Sequence, residues 1–359
     1  AGRVLDLTSG SITGTMLRFA LPMIAGNLLQ QLYNVADTLI VGRFLGSVAL
    51  AAVGSSYTLM TFLTSILLGL CMGSGAFFSI RYGEKDFSRL RAGIFASFTL
   101  IAALTFVINA AVFLWIDPIM RLLSVPVSVY GLMREYLWVI FFGIAATFLY
   151  NFFACLLRAV GNSAAPLIFL GISAVLNIVL DLVFIVGLRM GVAGAAIATD
   201  LSQLVSCVLS LRFLMKSEDA CRVKLSAIRL HRKMAGRIIR VGLPTGIQNM
   251  VISFSNVLVQ ASVNSYGAAA MAGFAAYMKI DGFNILPVSS ISMAATTFVG
   301  QNYGAGRLDR VKRSVWVTLA IGVIYTLCTG AALLAGQDAI LHLFTADEAV
   351  VTYGKLAMR

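Results

Sequence analysis

The chain has 359 residues, 59% of them hydrophobic and 12% charged, where an average soluble domain carries roughly 25% charged residues. This composition excludes a soluble enzyme or binding module, and the net charge of +12 sits mostly in the connections between apolar runs, which is membrane topology and not a nucleic-acid face. Cys71, Cys155, Cys207 and Cys328 lie in apolar segments and Cys221 in a basic loop, with no C-x-x-C pair, and His231 and His342 are far apart, so neither a disulfide scaffold, a zinc site nor a histidine-based triad is supported.

A helix needs roughly 20 residues to cross a bilayer, and no ten-residue alternation of the barrel type is present. Ten helical spans are predicted: 15–41, 49–79, 93–116, 132–157, 163–187, 191–214, 237–263, 268–299, 313–335 and 346 onward. From the polar, mixed start Ala1–Asp6 no cleavable signal is expected ahead of the first span. The first span places Asn27, Gln30, Gln31, Asn34 and Asp37 three or four residues apart, a polar stripe expected to face water or protein. The bland alternative is interhelical polar glue at about 0.6 kcal/mol per bond. Gly69, Gly73 and Gly75 fall in the second span, with Pro22, Pro244 and Pro287 in or at the start of others; such residues allow a helix to bend. The fifth span sets Asn177 and Asp181 four residues apart, one above the other on a single face. Thr199 and Asp200 follow in the sixth.

A basic connection then leads to a seventh span with Gln248, Asn249, Asn256 and Gln260 but no acid. The eighth carries Lys279 and Asp281, two residues apart and so on different faces. Lys and Arg concentrate at the N-terminus and in alternate connections (Arg81, Lys85, Arg89, Arg91, Arg307, Arg310, Lys312, Arg313), whereas the other side has Arg43, Arg121, Arg134 and Arg189; positive charge stays inside, so the N-terminus is expected in the cytoplasm.

The sequence from Phe19 is similar to that from Val241, and "RYGEKDFSRLR" from Arg81 is similar to "NYGAGRLDRVK" from Asn302. Pro22 and Pro244 are 222 residues apart, Gly83 and Gly304 221, an internal duplication with a one-residue slip. Six spans separate the copies, so equivalent helices run the same way and the copies are parallel repeats, a known transporter plan. The expected architecture is all-α and polytopic: two six-helix bundles, the second cut short after about ten spans in all. Its units are an N-terminal lobe (1–214), a basic cytoplasmic linker (215–236) and a C-terminal lobe (237–359).

An acid at membrane depth is costly and by default marks an ion or proton pathway. Oxygen ligands from Asp37, Asn177, Asp181 and Thr199 suit Na⁺, and two neighbouring carboxylates equally suit a shared proton. Asn34, Gln248, Lys279 and Asp281 are candidates for lining a substrate cavity; Lys279 and Asp281 equally fit a water-filled end away from the cytoplasm. No metalloprotease, paired-histidine or Ser/Lys constellation argues for an enzyme.

The chain resembles the multidrug and toxic compound extrusion (MATE) transporters. The residues that carry the resemblance are Pro22, "VADTLIVGRFLGSVALAAVG" from Val35, "RYGEKD" from Arg81, "LRAVGNSAAP" from Leu157, "LNIVLDLVFI" from Leu176, "GAAIAT" from Gly194, "VGLP" from Val241 and "QNYGAGR" from Gln301. The resemblance implies an antiporter of the bacterial inner membrane, acting as a monomer, that expels cationic or amphipathic organic compounds in exchange for H⁺ or Na⁺ and uses no other cofactor. It implies that Asp37, Asn177, Asp181 and Thr199 form the coupling site and that Gln30, Tyr33 and Asn151 line the cavity beside it. "LPTGIQNMVIS" lacks the C-terminal-lobe glutamate of one branch, which points to the DNA-damage-inducible and staphylococcal-type branch. The alternative implied by the wider group is a flippase for lipid-linked oligosaccharide, which would need several cations in the cavity, whereas the first-half spans are nearly free of Lys and Arg.

Overall fold

The computed structural model describes residues 4–122, 125–216, 232–264, 266, 268–343 and 346–358. Most of the predicted linker, with Cys221 and His231, lies outside the described residues, as does the side chain of Gln260. Among the described residues every regular element is helical: α1 (Ile12–Leu45), α2 (Ser47–Gly83), α3 (Phe87–Leu122), α4 (Val127–Phe142), α5 (Ile144–Ala159), α6 (Ala164–Asp181), α7 (Gly191–Lys216), α8 (Arg232–Asn264), α9 (Ala268–Gly304), α10 (Leu308–His342) and α11 (Glu348–Met358). Among the described residues seven helices are long and apolar enough to cross a membrane, and α4 with α5 forms an eighth span bent by 49°. The predicted seventh and tenth spans, α8 and α11, are not among these: α8 opens on Arg232, Lys233, Arg237 and Arg240, and α11 has 11 residues.

Local chemistry accounts for where the helices begin and break. Ser11 caps α1 by accepting the Gly14 N–H at 3.1 Å, satisfying one of the donors a helix start leaves free. The predicted fourth span is two helices because the chain turns at Gly143, whose N–H returns to the Ile140 carbonyl at 3.2 Å. α3 departs from helical geometry at Trp115 (φ −119°, ψ 20°), three residues before Pro118, since proline supplies no N–H to the turn that precedes it. Immediately after Asp181 the chain widens into a π-helical turn, Leu182–Gly187, a form that recurs at functional sites.

The main buried core joins α2, α3, α4, α5 and α7, with Phe78, Phe98, Phe152 and Phe153 in successive edge or tilted ring contacts. α1 lies on α6, where Gly26 faces Leu167 and Leu170 and Gly171 faces Leu29. A small-residue seam joins α2 to α8. A Cβ on Gly69 would lie 2.2 Å from the Gly246 nitrogen and one on Gly73 2.5 Å from the Gly242 Cα. Gly-x-x-x-Gly spacing on both helices lets backbones touch, the packing available where lipid offers no hydrophobic driving force. At its far end α2 meets α9, with Gly83 against the Gln301 carbonyl and Gly304 against that of Ile80. We expect Gly69→Ala to cost about 1–3 kcal/mol by overpacking, read as a lower Tm in detergent; Gly54→Ala, which adds a methyl with nothing within 4 Å, leaves Tm unchanged.

The opposite contact, α1 against α9, is closed at one end and open at the other. Toward the N-terminus Met16, Phe19, Ala20 and Met23 bury against Ile291, Ala294 and Phe298. Asn27 then donates to the Ser290 hydroxyl at 2.7 Å. Beyond that bond the two helices part around a cavity of about 920 Å³.

Candidate functional site

The site is built on α1, whose polar residues serve two faces. At about 100° per residue, Tyr33 and Asp37 point toward α6 and α7, while Gln31, Asn34 and Thr38 reach the cavity beside α9. The predicted stripe is therefore divided: one edge meets buried acids and the other lines open space.

On the first face, the Asp37 and Asp181 carboxyl groups are in hydrogen-bond contact with each other. Asn177 and Asp181 are fully buried at 0% exposure, stacked one helical turn apart on α6. The Asn177 amide, oriented to satisfy both of its ends, donates to Asp181 Oδ2 at 3.2 Å and accepts from the Thr199 N–H at 3.3 Å; turned about, its nitrogen meets the Thr199 hydroxyl at 3.3 Å. Asp37 Oδ1 and Asp181 Oδ1 are buried with no hydrogen-bond donor. Two carboxyl groups in contact require a proton or a cation between them, and the unpaired oxygens can accept either. Among the described residues there is no group of three or more His, Cys, Asp or Glu able to hold a metal, so the set fits a proton or a monovalent hard cation bound by carboxylate and neutral oxygens.

Several neighbours went unread in the sequence. Tyr33 hydrogen-bonds with Gln203, and buried Tyr136 lies within electrostatic range of Asp37, Asp181 and Asp200. Gln203 carries a usable signal, one turn beyond Thr199 on α7, whereas Tyr136 is one aromatic among many in an apolar run and carries none. Asp200 does not join the acid pair by a hydrogen bond. Its carboxylate accepts from the Gly143 N–H at the α4–α5 break, and a Cβ on Gly143 would sit 2.2 Å from its Cγ; the acid thus occupies the place a side chain at the bend would need.

The other predicted lining residues scatter. Gln30 and Gln248 are exposed, and Asn151 donates to the Thr147 carbonyl of its own helix at 2.9 Å. Lys279 and Asn34 line the large cavity, with Gln31, Asn284 and Phe283. Asp281 lies near Tyr277 and is not among the cavity's lining residues, because two residues along a helix rotate it away from Lys279.

The family model described as MatE matches twice, over residues 22–183 and 244–359. The two matches start 222 residues apart, the spacing of Pro22 and Pro244. The chain is 34% identical over 310 residues to the probable multidrug resistance protein YpnP of Bacillus subtilis (strain 168), covering 86% of this chain and 69% of that protein. It is 27% identical over 344 residues to the multidrug export protein MepA of Staphylococcus aureus (strain NCTC 8325 / PS 47), covering 94% and 74%. Among solved structures, a MOP superfamily transporter from Pyrococcus furiosus superimposes with a TM-score of 0.91 at 26% identity, over 99% of this chain and 80% of that one. A multidrug resistance MATE family transporter in an outward-facing conformation gives 0.91 at 25%, with the same coverage. The matched stretches take in both copies of the repeat and most of the chain: it belongs to the MatE family of multidrug-efflux membrane transporters.

Proposed function

We propose that this chain is a secondary active antiporter that expels organic compounds across the bacterial inner membrane, coupled to H⁺ or Na⁺ at Asp37, Asn177, Asp181 and Thr199. The observation that carries the coupling assignment is the contact between two carboxyl groups inside a membrane helix bundle, each with an oxygen lacking a donor. α1 transmits it. This helix presents Asp37 to the ion site on one face and Gln31 and Asn34 to the cavity on the other, so a change in how Asp37 packs against Asp181 moves a cavity wall. Exchange requires that each ligand lower the other's affinity by one shared free energy.

The lobes 1–214 and 237–359 are the rigid units we assign to alternating access, with the α2–α8 glycine seam as the pivot and the N-terminus in the cytoplasm. The absence of an acid among Gln248, Asn249 and Asn256 supports coupling in the first lobe and the staphylococcal-type branch. The test is efflux of a fluorescent amphipathic dye from proteoliposomes with Na⁺ and pH gradients imposed separately. Export driven by at least one gradient supports the reading; export that ignores both, or none under either, overturns it.

A further inference from the structure

Lys279 lies on α9, three residues after Ala276, the first residue of the apolar span Ala276–Gly304. It is nevertheless exposed and turned into the cavity of about 920 Å³ that α1, α9 and α10 enclose. That volume is at the upper end of what drug-sized ligands occupy. None of the described lining residues is acidic, and among the described residues Lys279 makes no ion pair. Asp37 of α1 is turned away from it, toward Asp181 of α6. Opposite Lys279 stand the amides of Gln31 and Asn34, with Asn284 on its own helix, and apolar side chains such as Phe283 and Leu333 complete the wall.

A cation that faces a cavity near the end of a span marks a wet vestibule or a bound counter-charge. Among the described lining residues it is the single formal charge, beside amides, two threonine hydroxyls and apolar side chains. Resting on the transporter reading above, we infer that this cavity selects amphipathic compounds that carry an anionic group, a carboxylate, sulfonate or phosphate, with Lys279 as its electrostatic anchor and the Gln31 and Asn34 amides as hydrogen-bond donors. The apolar wall takes the body of the molecule. Lysine fits this task as a mobile point charge able to meet anions of different shape, which suits a carrier of varied cargo.

The test is equilibrium binding to the purified full chain in nanodiscs, by fluorescence anisotropy, of sulforhodamine B against its cationic counterpart tetramethylrosamine. The expected result is preference for the sulfonated dye, weakened about 10- to 100-fold in Lys279→Gln, reversed in Lys279→Glu and kept in Lys279→Arg, with normal elution on size exclusion showing that each variant folds. Binding is read at equilibrium with no gradient imposed, so loss of coupled export and loss of anion selectivity separate. Equal affinity for both dyes, or a Lys279→Gln variant that binds the sulfonate as wild type does, overturns the inference. Discs of phosphatidylcholine and of phosphatidylglycerol distinguish a soluble anion from a lipid headgroup: unchanged dye affinity supports the soluble compound, and displacement by phosphatidylglycerol reassigns the anchor to lipid and overturns it.

Discussion

Asp181→Asn and Asp37→Asn each reduce gradient-driven efflux about 5- to 150-fold, the loss expected when a coupling free energy of about 1–3 kcal/mol is removed. The amide keeps the shape of the acid but can neither release a proton nor lend a charge to Na⁺. Because the carboxyl pair leaves an unpaired oxygen on each residue, the native arrangement is costly in the absence of its ion, and an amide can donate where a carboxylate cannot. Both variants should therefore fold, with a Tm equal to or above that of the wild type. Dye efflux and Tm measured on the same preparations separate the two effects: lost export with retained Tm fits an ion site, whereas lost Tm identifies a structural pair. Asn177→Ala is the milder partner, because it removes the bridge between Asp181 and Thr199 while leaving both acids in place.

Arg310→Ala opens the closed end of the molecule. The segment Leu5–Gly10 is held from both sides: the Leu5 N–H donates to the Gly161 carbonyl at 3.0 Å, and Asn302 Nδ2 donates to the Leu7 carbonyl at 3.0 Å. Arg310 gathers the rest, donating to Asn302 Oδ1 at 2.9 Å and to the carbonyls of Gly10, Ser9 and Leu7 at 2.8, 3.2 and 3.3 Å, with its guanidinium 5.5 Å above the Phe298 ring. Gly161 is required there, since its φ is +93° and a Cβ would sit 2.4 Å from the Leu5 carbonyl oxygen. Helices from both copies of the repeat are thus tied by one buckled strap at the end where Leu7 is buried. A hydrogen bond to a charged group contributes about 1.5–3 kcal/mol. Water replaces Arg310 at the exposed carbonyls of Ser9 and Gly10 but not at Leu7 and Asn302, so the variant shifts the closed-to-open ratio about 10- to 100-fold.

A cysteine at Thr297, 7% exposed, in a chain freed of its five native cysteines, reports the opening by its rate of maleimide labelling. Labelling accelerates in Arg310→Ala and is partly restored in Arg310→Lys; an unchanged rate removes the strap from the gate. The strap also carries a pH dependence. Hydrogen bonds from the Thr8 and Ser9 hydroxyls and from the Thr8 N–H hold the Asp6 carboxyl below the usual carboxylate range. Its stabilisation is complete above the ordinary Asp pKa and is lost as pH falls through the lowered one, so acid loosens the segment and neutral pH does not.

Much of this arrangement is legible in the sequence, and the failures have physical causes. The stacking of Asn177 on Asp181 follows from a four-residue spacing within an uninterrupted apolar run. The duplication is readable because Pro22, Gly83 and their counterparts are preserved in register. The two faces of α1 are not readable, because Asn27, Gln30, Gln31, Asn34 and Asp37 fall within an arc of about 120°, which looks like one stripe until neighbouring helices divide it. The break at Gly143 hides in a span whose hydropathy is continuous, and the Asp200 carboxylate that meets it is distant in sequence. Gln248 and Asp281 are expected to face water from their polarity; polarity says that a side chain avoids lipid, not which watery surface it joins.

The acid pair and the cavity share one helix, and the sign of their coupling is the central physical question. A cation at Asp37 and an anion beside Lys279 attract each other across α1, which by itself favours joint occupancy. Exchange therefore requires that the repacking of α1 on ion binding cost the cavity more than this. The deciding measurement is the equilibrium affinity of the purified chain for sulforhodamine B as Na⁺ and H⁺ are raised in turn. The account predicts that affinity falls as the coupling ion rises and that the dependence vanishes in Asp37→Asn. Affinity that climbs with both ions, or that responds to them identically in wild type and Asp37→Asn, contradicts it.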